Sequence, residues 1–332
     1  MKKFLIIRWS GMGDIIMTLP AIQWLKNRFP ESHICYLTDS AFAKIPELSG
    51  LVDEVFPIDR RGFKKLSSLR PAAWGVFKTL IALRFRAFDM AFDLQGFGET
   101  AILARLSGTD QRVGRIKGSP LRRRIYNIPI TGDWEKEHRT TYFVRAVANA
   151  FGKTPPTGES FPTLNPPKKK TPQTNSQTPG LIGLNIGAST ESRRWSEENF
   201  LQLAQMLSEK GHGIRIFAGP EEKSLRPIFQ RACSENDWDL SCHADFDDFI
   251  ADLCDCQLLV SNDTGPGHLA AAFGLPVVTL FSTGTPENVA PMAEKYAWFR
   301  EEEDINRIRV DDVAQACFDL LNLGLLNFLF IE

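Results

Sequence analysis

The stretch QLLVSNDTGPGHLAAAFGLPVVTLFS, residues 257–282, decides the fold. Its first seven residues read as a strand ending in Ser261-Asn262-Asp263. Thr264, Gly265 and Pro266 then turn the chain into a helix over 266–273. Proline suits a first turn, where its missing N–H is no loss. Ala270, Ala271 and Ala272 let that helix lie close on a sheet, and a second apolar run, PVVTLFS, follows at once. Two strands joined through a helix run parallel. Thr264, Gly265 and nearby amides can present N–H groups to a diphosphate at the helix N-terminus. His268, in the same first turn, has two readings: a donor to that phosphate, or a structural histidine.

The same alternation extends in both directions. In the second half, LIGLNIG and HGIRIFAG read as strands. Between them SEENFLQLAQMLSEKG reads as a helix with Ser196 as N-cap, Asn199 at N3, Gly211 as stop and Phe200, Leu203, Ala204 and Leu207 on its apolar face. DFDDFIADLCDC gives a further helix with Phe246, Phe249, Ile250 and Leu253 aligned. In the first half, KFLIIRW, HICYLT, VDEVFPI and FDMAFDL read as strands, with helical stretches such as 100–107 between or after them. This pattern predicts an α/β protein with two doubly wound, Rossmann-like parallel sheets. The expected domains are 1–165 and 181–332, joined by a linker at 166–180 rich in Pro, Thr, Asn and Lys. Ligands in such sheets bind beyond the C-terminal strand ends, so the domains are expected to face a central cleft. The tail LLNLGLLNFLFIE reads as a packed terminal element, and the last helix is a candidate to pack back on the first domain.

The 332 residues are enough for two ordinary domains. The N-terminal apolar run is too short for a signal sequence and is interrupted by Arg8, and no segment reaches the length of a membrane span. The six cysteines form no disulfide framework, which suggests a reduced, cytoplasmic chain. Cys242, His243, Cys254 and Cys256 match no common zinc spacing, so no metal is expected. The net charge of −1 conceals an asymmetry: residues 1–165 hold 25 Lys and Arg against 15 Asp and Glu, and residues 166–332 hold 14 against 25. RRGFKK at 60–65 and RIKGSPLRRR at 115–124 concentrate the basic charge. Such clusters attract nucleic acid, phosphorylated glycolipid or an acidic membrane surface, or are simply solvated.

Three further stretches carry candidate chemistry. In RWSGMGDIIMTLPA, 8–21, a strand ending at Trp9 turns through two glycines into a helix. A dinucleotide loop needs a third glycine where Ile16 stands, and Thr38-Asp39 is only a loose match for its acid, so a cofactor loop is disfavoured. Asp14 is then either a carboxylate stabilised by a helix N-terminus, worth about 0.3–1 kcal/mol, or a general base. In NIGASTESRRWSEENF, 185–200, small hydroxyls and Arg193 beyond a strand end suit a phosphate leaving group; the alternative for Arg193 is a surface cation. In FAGPEEK, 217–223, Glu221 is either a nucleoside ligand or a plain helix-start glutamate. DWD at 237–239 and DFD at 245–247 match the D-x-D of metal-dependent sugar transferases, but the first sits in a polar stretch without a preceding strand and the second at the start of an amphipathic helix, and both are set aside.

Together GMGDIIMTLPA, DLQG at 93–96, NIGAS…RRW and SNDTGPGHLAAA resemble glycosyltransferase family 9, the bacterial ADP-heptose:lipopolysaccharide heptosyltransferases, in order and spacing over nearly the whole chain. The resemblance implies the GT-B fold and an inverting, metal-independent reaction with no cofactor, the ADP-sugar being a co-substrate. It implies Asp14 as the catalytic base. It places Asp263, Thr264, Gly265 and His268 around the donor diphosphate and sugar, Ser189 and Thr190 near the phosphates, and Glu221 at the nucleoside. Arg193 falls where many members have lysine, which keeps the charge and changes the geometry. The first domain matches the acceptor side, with Ser10, Gly11, Arg60, Arg61 and Arg122 as candidates. The partners expected are a nucleotide sugar and an anionic glycolipid, with peripheral contact at the inner membrane face and no nucleic acid. Competing readings are a GT-B enzyme with another donor, a 2-epimerase, a non-catalytic binder of anionic glycolipid or nucleic acid, and, least of all, a dehydrogenase.

Overall fold

The computed structural model describes residues 1–59, 69–156, 160–166 and 180–322. Arg60, Arg61, most of the 166–180 segment and residues 323–332 lie outside the described residues. The chain divides into two compact units, Met1–Leu164 and Asn165–Glu332.

Unit 1 runs β1 (Lys3–Ile7), α1 (Met12–Arg28), β2 (His33–Asp39), α2 (Lys44–Leu48), β3 (Glu54–Ile58), α3 (Leu69–Phe85), β4 (Met90–Asp93), α4 (Gly98–Leu106), β5 (Gln111–Gly114), α5 (Pro120–Ile125), β6 (Ile128–Pro129) and α6 (Arg139–Ala150). Its strands pair in parallel in the order β3-β2-β1-β4-β5-β6. Phe4, Leu5, Ile6 and Ile7 of β1 are all buried. An uninterrupted apolar strand of this kind is what a parallel sheet covered on both faces requires. α1 packs with α2 and α6, and α4 with α3 and α5, so two helical layers cover the sheet.

The expected strand to Trp9 ends at Ile7 instead. Bonds to β2 continue beyond it, Arg8 N to Leu37 O at 3.2 Å and Asp39 N to Trp9 O at 3.2 Å. On the other side, the Trp9 and Ser10 amides donate to Gln95 Oε1 at 3.1 and 3.2 Å, so a side chain replaces the ladder with β4.

Unit 2 repeats the plan: β7 (Leu181–Asn185), α7 (Glu197–Glu209), β8 (Gly213–Phe217), α8 (Arg226–Asn236), β9 (Asp239–Ser241), α9 (Phe246–Cys254), β10 (Leu258–Asn262), α10 (Gly265–Ala272), β11 (Val277–Phe281), α11 (Pro286–Val289), β12 (Tyr296–Arg300) and α12 (Val310–Asn322). The sheet order is β12-β11-β10-β7-β8-β9, all parallel. Counted from its own first strand, this is the order of unit 1. Both sheets therefore reverse winding direction beside their first strand, between β1 and β4 and between β7 and β10, and the crevice at such a reversal is where ligands bind.

Ser196 caps α7 as expected, its Oγ accepting from Asn199 N at 3.2 Å. The described part of the C-terminal helix, α12, packs within unit 2: Val313, Ala314, Cys317 and Leu320 join Phe200, Leu203 and Leu207 of α7 in one core.

Candidate active site

In unit 1 the crevice is built from the ends of β1 and β4. Arg8 follows β1 and its side chain is only 5% exposed. A buried guanidinium needs partners. Arg8 Nη1 donates to Leu94 O at 2.7 Å, Nη2 pairs with Asp14 Oδ2 at 2.7 Å, and the group lies 5.5 Å from the Phe143 ring centre. Asp14 stands in the first turn of α1, its carboxylate 40% exposed. The pair is thus one-sided, with its cation sunk in the fold and its anion at the surface.

Gly11 permits this. It caps α1 with φ +84°, and a Cβ there would lie 2.3 Å from Asp14 Oδ2. Any other residue would collide with the carboxylate, besides straining the backbone.

The loop after β4 supports the loop after β1. Buried Asp93 accepts from the Gln95 and Gly96 amides, both at 2.9 Å, and from the Tyr126 hydroxyl. Burial pushes the Asp93 carboxyl up, against the pull of these donors. Gln95, held in this way, receives the Trp9 and Ser10 amides. Arg122 of α5 donates to Gly96 O, and to Lys117 O at 2.6 Å. It lines an open cavity of about 410 Å³ with Gly96, Phe97, Arg115 and Ser119. Arg139 and Arg115 both stack on Trp134, with centroid distances of 3.8 and 4.9 Å, and add to the basic character of this end.

In unit 2 the corresponding loops follow β7 and β10. Asn262, fully buried, accepts from Trp195 N at 3.0 Å and donates to Gly187 O at 3.1 Å, tying the two loops together. Asn185 Nδ2 donates to Ser261 Oγ at 2.9 Å and Thr264 Oγ1 at 3.0 Å. Thr264 is the N-cap of α10, and its hydroxyl also donates to Asn262 O at 3.1 Å. Above this polar base, Arg193 bridges Asp263 Oδ2 at 2.5 Å and Ser189 Oγ at 3.3 Å. Here the exposures are reversed: Arg193 is 31% exposed and Asp263 14%. Thr190 stands exposed beside Ser192, and Gly265 opens α10. The helix over 266–273 starts one residue earlier than expected, because Thr264 itself is the cap. His268 is buried, one turn into α10.

Glu221 is exposed in a short 3-10 turn, Pro220–Glu222, after β8. The inward carboxylate is that of Glu222, buried and 3.8 Å from Arg194. A Cβ on Gly187 would lie 3.4 Å from it, so Glu222 reaches the loop after β7. In a turn of two adjacent glutamates, only the three-dimensional register decides which points inward. Arg8 had a signal in the sequence, a single charge at the end of an apolar run, but its partner could not be read there.

The two D-x-D matches have structural roles. Asp237 ends α8 with φ +58° and Asp239 pairs with Arg215 at 3.0 Å, while Asp245 caps α9 through the Asp247 amide at 2.8 Å. Among the described residues one group of metal-ligand type gathers, His33, Cys35 and Glu54, within 4.8 Å. It sits at the N-terminal ends of β2 and β3, opposite the crevice. Arg86 holds Glu54 at 2.6 and 2.9 Å, and burial with the Glu54 charge pushes the Cys35 thiol up to about 12.

Residues 76–315 match the family model described as glycosyltransferase family 9 (heptosyltransferase). The chain belongs to glycosyltransferase family 9. The match includes DLQG, NIGAS…RRW and SNDTGPGHLAAA, and the Asp14 loop precedes it. This family 9 chain is 27% identical over 289 residues to lipopolysaccharide heptosyltransferase 1 of Pseudomonas aeruginosa, covering 86% of this chain and 79% of the relative. It is 23% identical over 339 residues to lipopolysaccharide heptosyltransferase 2 of Escherichia coli, covering 94% and 92%. Among solved structures, E. coli heptosyltransferase WaaC with ADP superposes with a TM-score of 0.83 at 21% identity, covering 96% of this chain and 99% of that one. The fold is therefore GT-B, and the protein is a glycosyltransferase.

Proposed function

We propose that this enzyme transfers heptose from ADP-heptose to the inner core of lipopolysaccharide, on Kdo-lipid A or an already heptosylated acceptor, with inversion and without a metal. One observation carries the reading. Unit 1 offers a carboxylate to solvent at its crevice, backed by a buried cation, and unit 2 offers a guanidinium, backed by a more buried carboxylate. These are the two charges a single displacement at an anomeric carbon needs.

Asp14 takes the proton of the acceptor hydroxyl. The hydroxyl oxygen forms a bond to the anomeric carbon as the bond from that carbon to the diphosphate oxygen breaks. The electron pair leaves with ADP, and Arg193, Ser189, Thr190 and the amides of Thr264 and Gly265 at the start of α10 stabilise the developing charge. Arg8 positions Asp14. Asp263 orients Arg193 and borders the sugar, and His268, one turn into α10, serves the same phosphate end. Glu221, or Glu222 turned inward beside it, receives the nucleoside. Ser10, Gly11 and Arg122 border the acceptor, and Arg60 and Arg61 add basic charge in the same half. The nucleotide assignment draws on the family resemblance and on WaaC, which is solved with ADP. The acceptor assignment draws on the names of the relatives and on the basic first half. Such an acceptor lies in a membrane, so the enzyme acts at the inner face of the cytoplasmic membrane.

The test is incubation with a panel of ADP- and UDP-sugars, with and without Kdo-lipid A, followed by mass spectrometry. Transfer from ADP-heptose alone, dependent on acceptor, is expected. Conversion of a nucleotide sugar without acceptor would make the protein an epimerase, and thermal stabilisation by NAD alone would overturn the reading.

A further inference from the structure

Among the described residues ten large apolar side chains are exposed, and eight of them lie in one place: Trp74, Phe77, Ile81 and Phe85 on α3, Phe97, Ile102 and Leu106 at the cap and outer face of α4, and Leu121 on α5. α4 packs against both α3 and α5, so these belong to one helical layer. Exposed apolar residues scattered singly need no explanation, but a concentration on one layer does.

The α3 stripe follows helical spacing. Positions 74, 77, 81 and 85 share one side of the helix, and Val76, Leu80 and Leu83 on the opposite side pack into the unit 1 core. Both sides of α3 are thus apolar, and only one is used by the fold. Trp74 is 56% exposed and Phe85 83%. Trp74 stacks on Phe77 at 5.4 Å, and Lys78 Nζ lies 5.5 Å from the Trp74 ring centre.

The charge on α3 has one sign, while the exposed side of α4 carries Glu99 as well as Arg105. α3 contains Arg70, Lys78 and Arg84 and no acidic residue. Arg84 lies over Gly108 at the end of α4, extending the basic border to the next helix. Arg105 on α4 and Arg123 and Arg124 on α5 are exposed. Exposed aromatic rings edged by Lys and Arg are the composition of a helix that lies in the headgroup region of an anionic bilayer. No helix among the described residues is long and apolar enough to cross a membrane.

We propose that the outer face of α3, α4 and α5 is a docking surface for an anionic phospholipid bilayer, with Trp74, Phe77, Ile81 and Phe85 entering the interface and Arg70, Lys78 and Arg84 meeting lipid phosphates. The proposal rests on the reading of the acceptor as a membrane glycolipid and names the surface that brings unit 1 to it. None of these side chains touches Asp14 or Arg193 in any contact described above, so docking and chemistry separate experimentally.

The experiment is flotation of the full-length protein with vesicles of phosphatidylethanolamine and phosphatidylglycerol, and with phosphatidylcholine alone. The wild type should float with the anionic vesicles and weakly with the neutral ones. Trp74→Ala/Phe77→Ala/Phe85→Ala should lose at least ~10-fold in partitioning. Lys78→Glu/Arg84→Glu, confined to exposed charges that leave the core intact, should also lose binding, and only to anionic vesicles. Both variants should keep wild-type transfer to a soluble, detergent-dispersed acceptor. Equal flotation of wild type and either variant overturns the proposal. So does a wild-type dimer in light scattering that the apolar variant reduces to monomer, since the face then belongs to a second copy. Loss of transfer to every acceptor by the wild type would instead strike the heptosyltransferase reading and leave the vesicle result standing.

Discussion

Unit 1 and unit 2 share one sheet order and each carries an Arg–Asp pair at its strand-reversal crevice, yet the pairs are turned in opposite directions. In unit 1 the cation is the buried member, 5% against 40% exposed, and in unit 2 the anion is, 14% against 31%. One topology can therefore expose either the anion or the cation of such a pair, depending on which member the fold buries. The cause is local. Arg8 leaves β1 pointing inward, where Leu94 O and Phe143 receive it, whereas Asp263 follows β10 and Arg193 reaches it from the turn after β7.

The largest expected effect breaks the unit 1 side. Asp14→Asn keeps the shape and removes the proposed base, so kcat should fall ~10²–10⁴-fold while donor affinity, read by calorimetry with ADP, stays unchanged. Unaltered turnover would sink the base assignment. On the unit 2 side, Arg193→Ala should lower kcat ~10²–10³-fold, and Arg193→Lys should recover part of it, because charge survives and the fork contacts do not. If both variants lose only KM, Arg193 binds the ground state and not the departing charge.

Two smaller changes sharpen the contrast. Gly11→Ala puts a methyl group 2.3 Å from Asp14 Oδ2 at φ +84°, which should cost ~1–2 kcal/mol of stability in denaturant unfolding and reduce kcat with little change in donor KM. Arg8→Lys keeps a charge and loses the second arm to Leu94 O, with an expected fall in kcat of about tenfold.

The smallest effect is on pH dependence. Burial raises the Asp93 carboxyl above its ordinary value of 3.8. The folded state therefore holds this proton more tightly than the unfolded chain does. The stability that this group contributes is complete below pH 3.8 and declines as pH rises toward the folded value. The stability difference between wild type and Asp93→Asn should shrink over that window by up to about 1.4 kcal/mol per pH unit, and a flat difference would contradict the burial argument.

Much of the fold was legible in the sequence because parallel strands are continuous apolar runs and their crossover helices carry caps and stripes. Ser196, Gly211 and the α7 face are where the spacing puts them. The crevice loops were legible as loops, since glycines and small hydroxyls follow strand ends there. Their wiring was not. Arg8 was visible only as an interruption of an apolar run, and its role depends on Asp14, Leu94 and Phe143, which meet only when β1, β4, α1 and α6 pack. Asn262 and Asn185 stand as polar ends of strands in the sequence, and they tie together segments 67 and 76 residues apart. Glu221 and Glu222 are equivalent on paper, and the turn Pro220–Glu222 separates them.

The sequence by itself determined the two parallel α/β units, the positions of the loops at the two crevices, the basic first half and the membership of glycosyltransferase family 9. Each of these depends on periodicity, composition or local order along the chain. Only the tertiary structure decided which member of each ion pair reaches solvent, which glutamate turns inward, and which side of α3 the core leaves uncovered. These depend on burial, and burial is a property of what a residue is packed against, which the chain does not set until distant strands and helices meet.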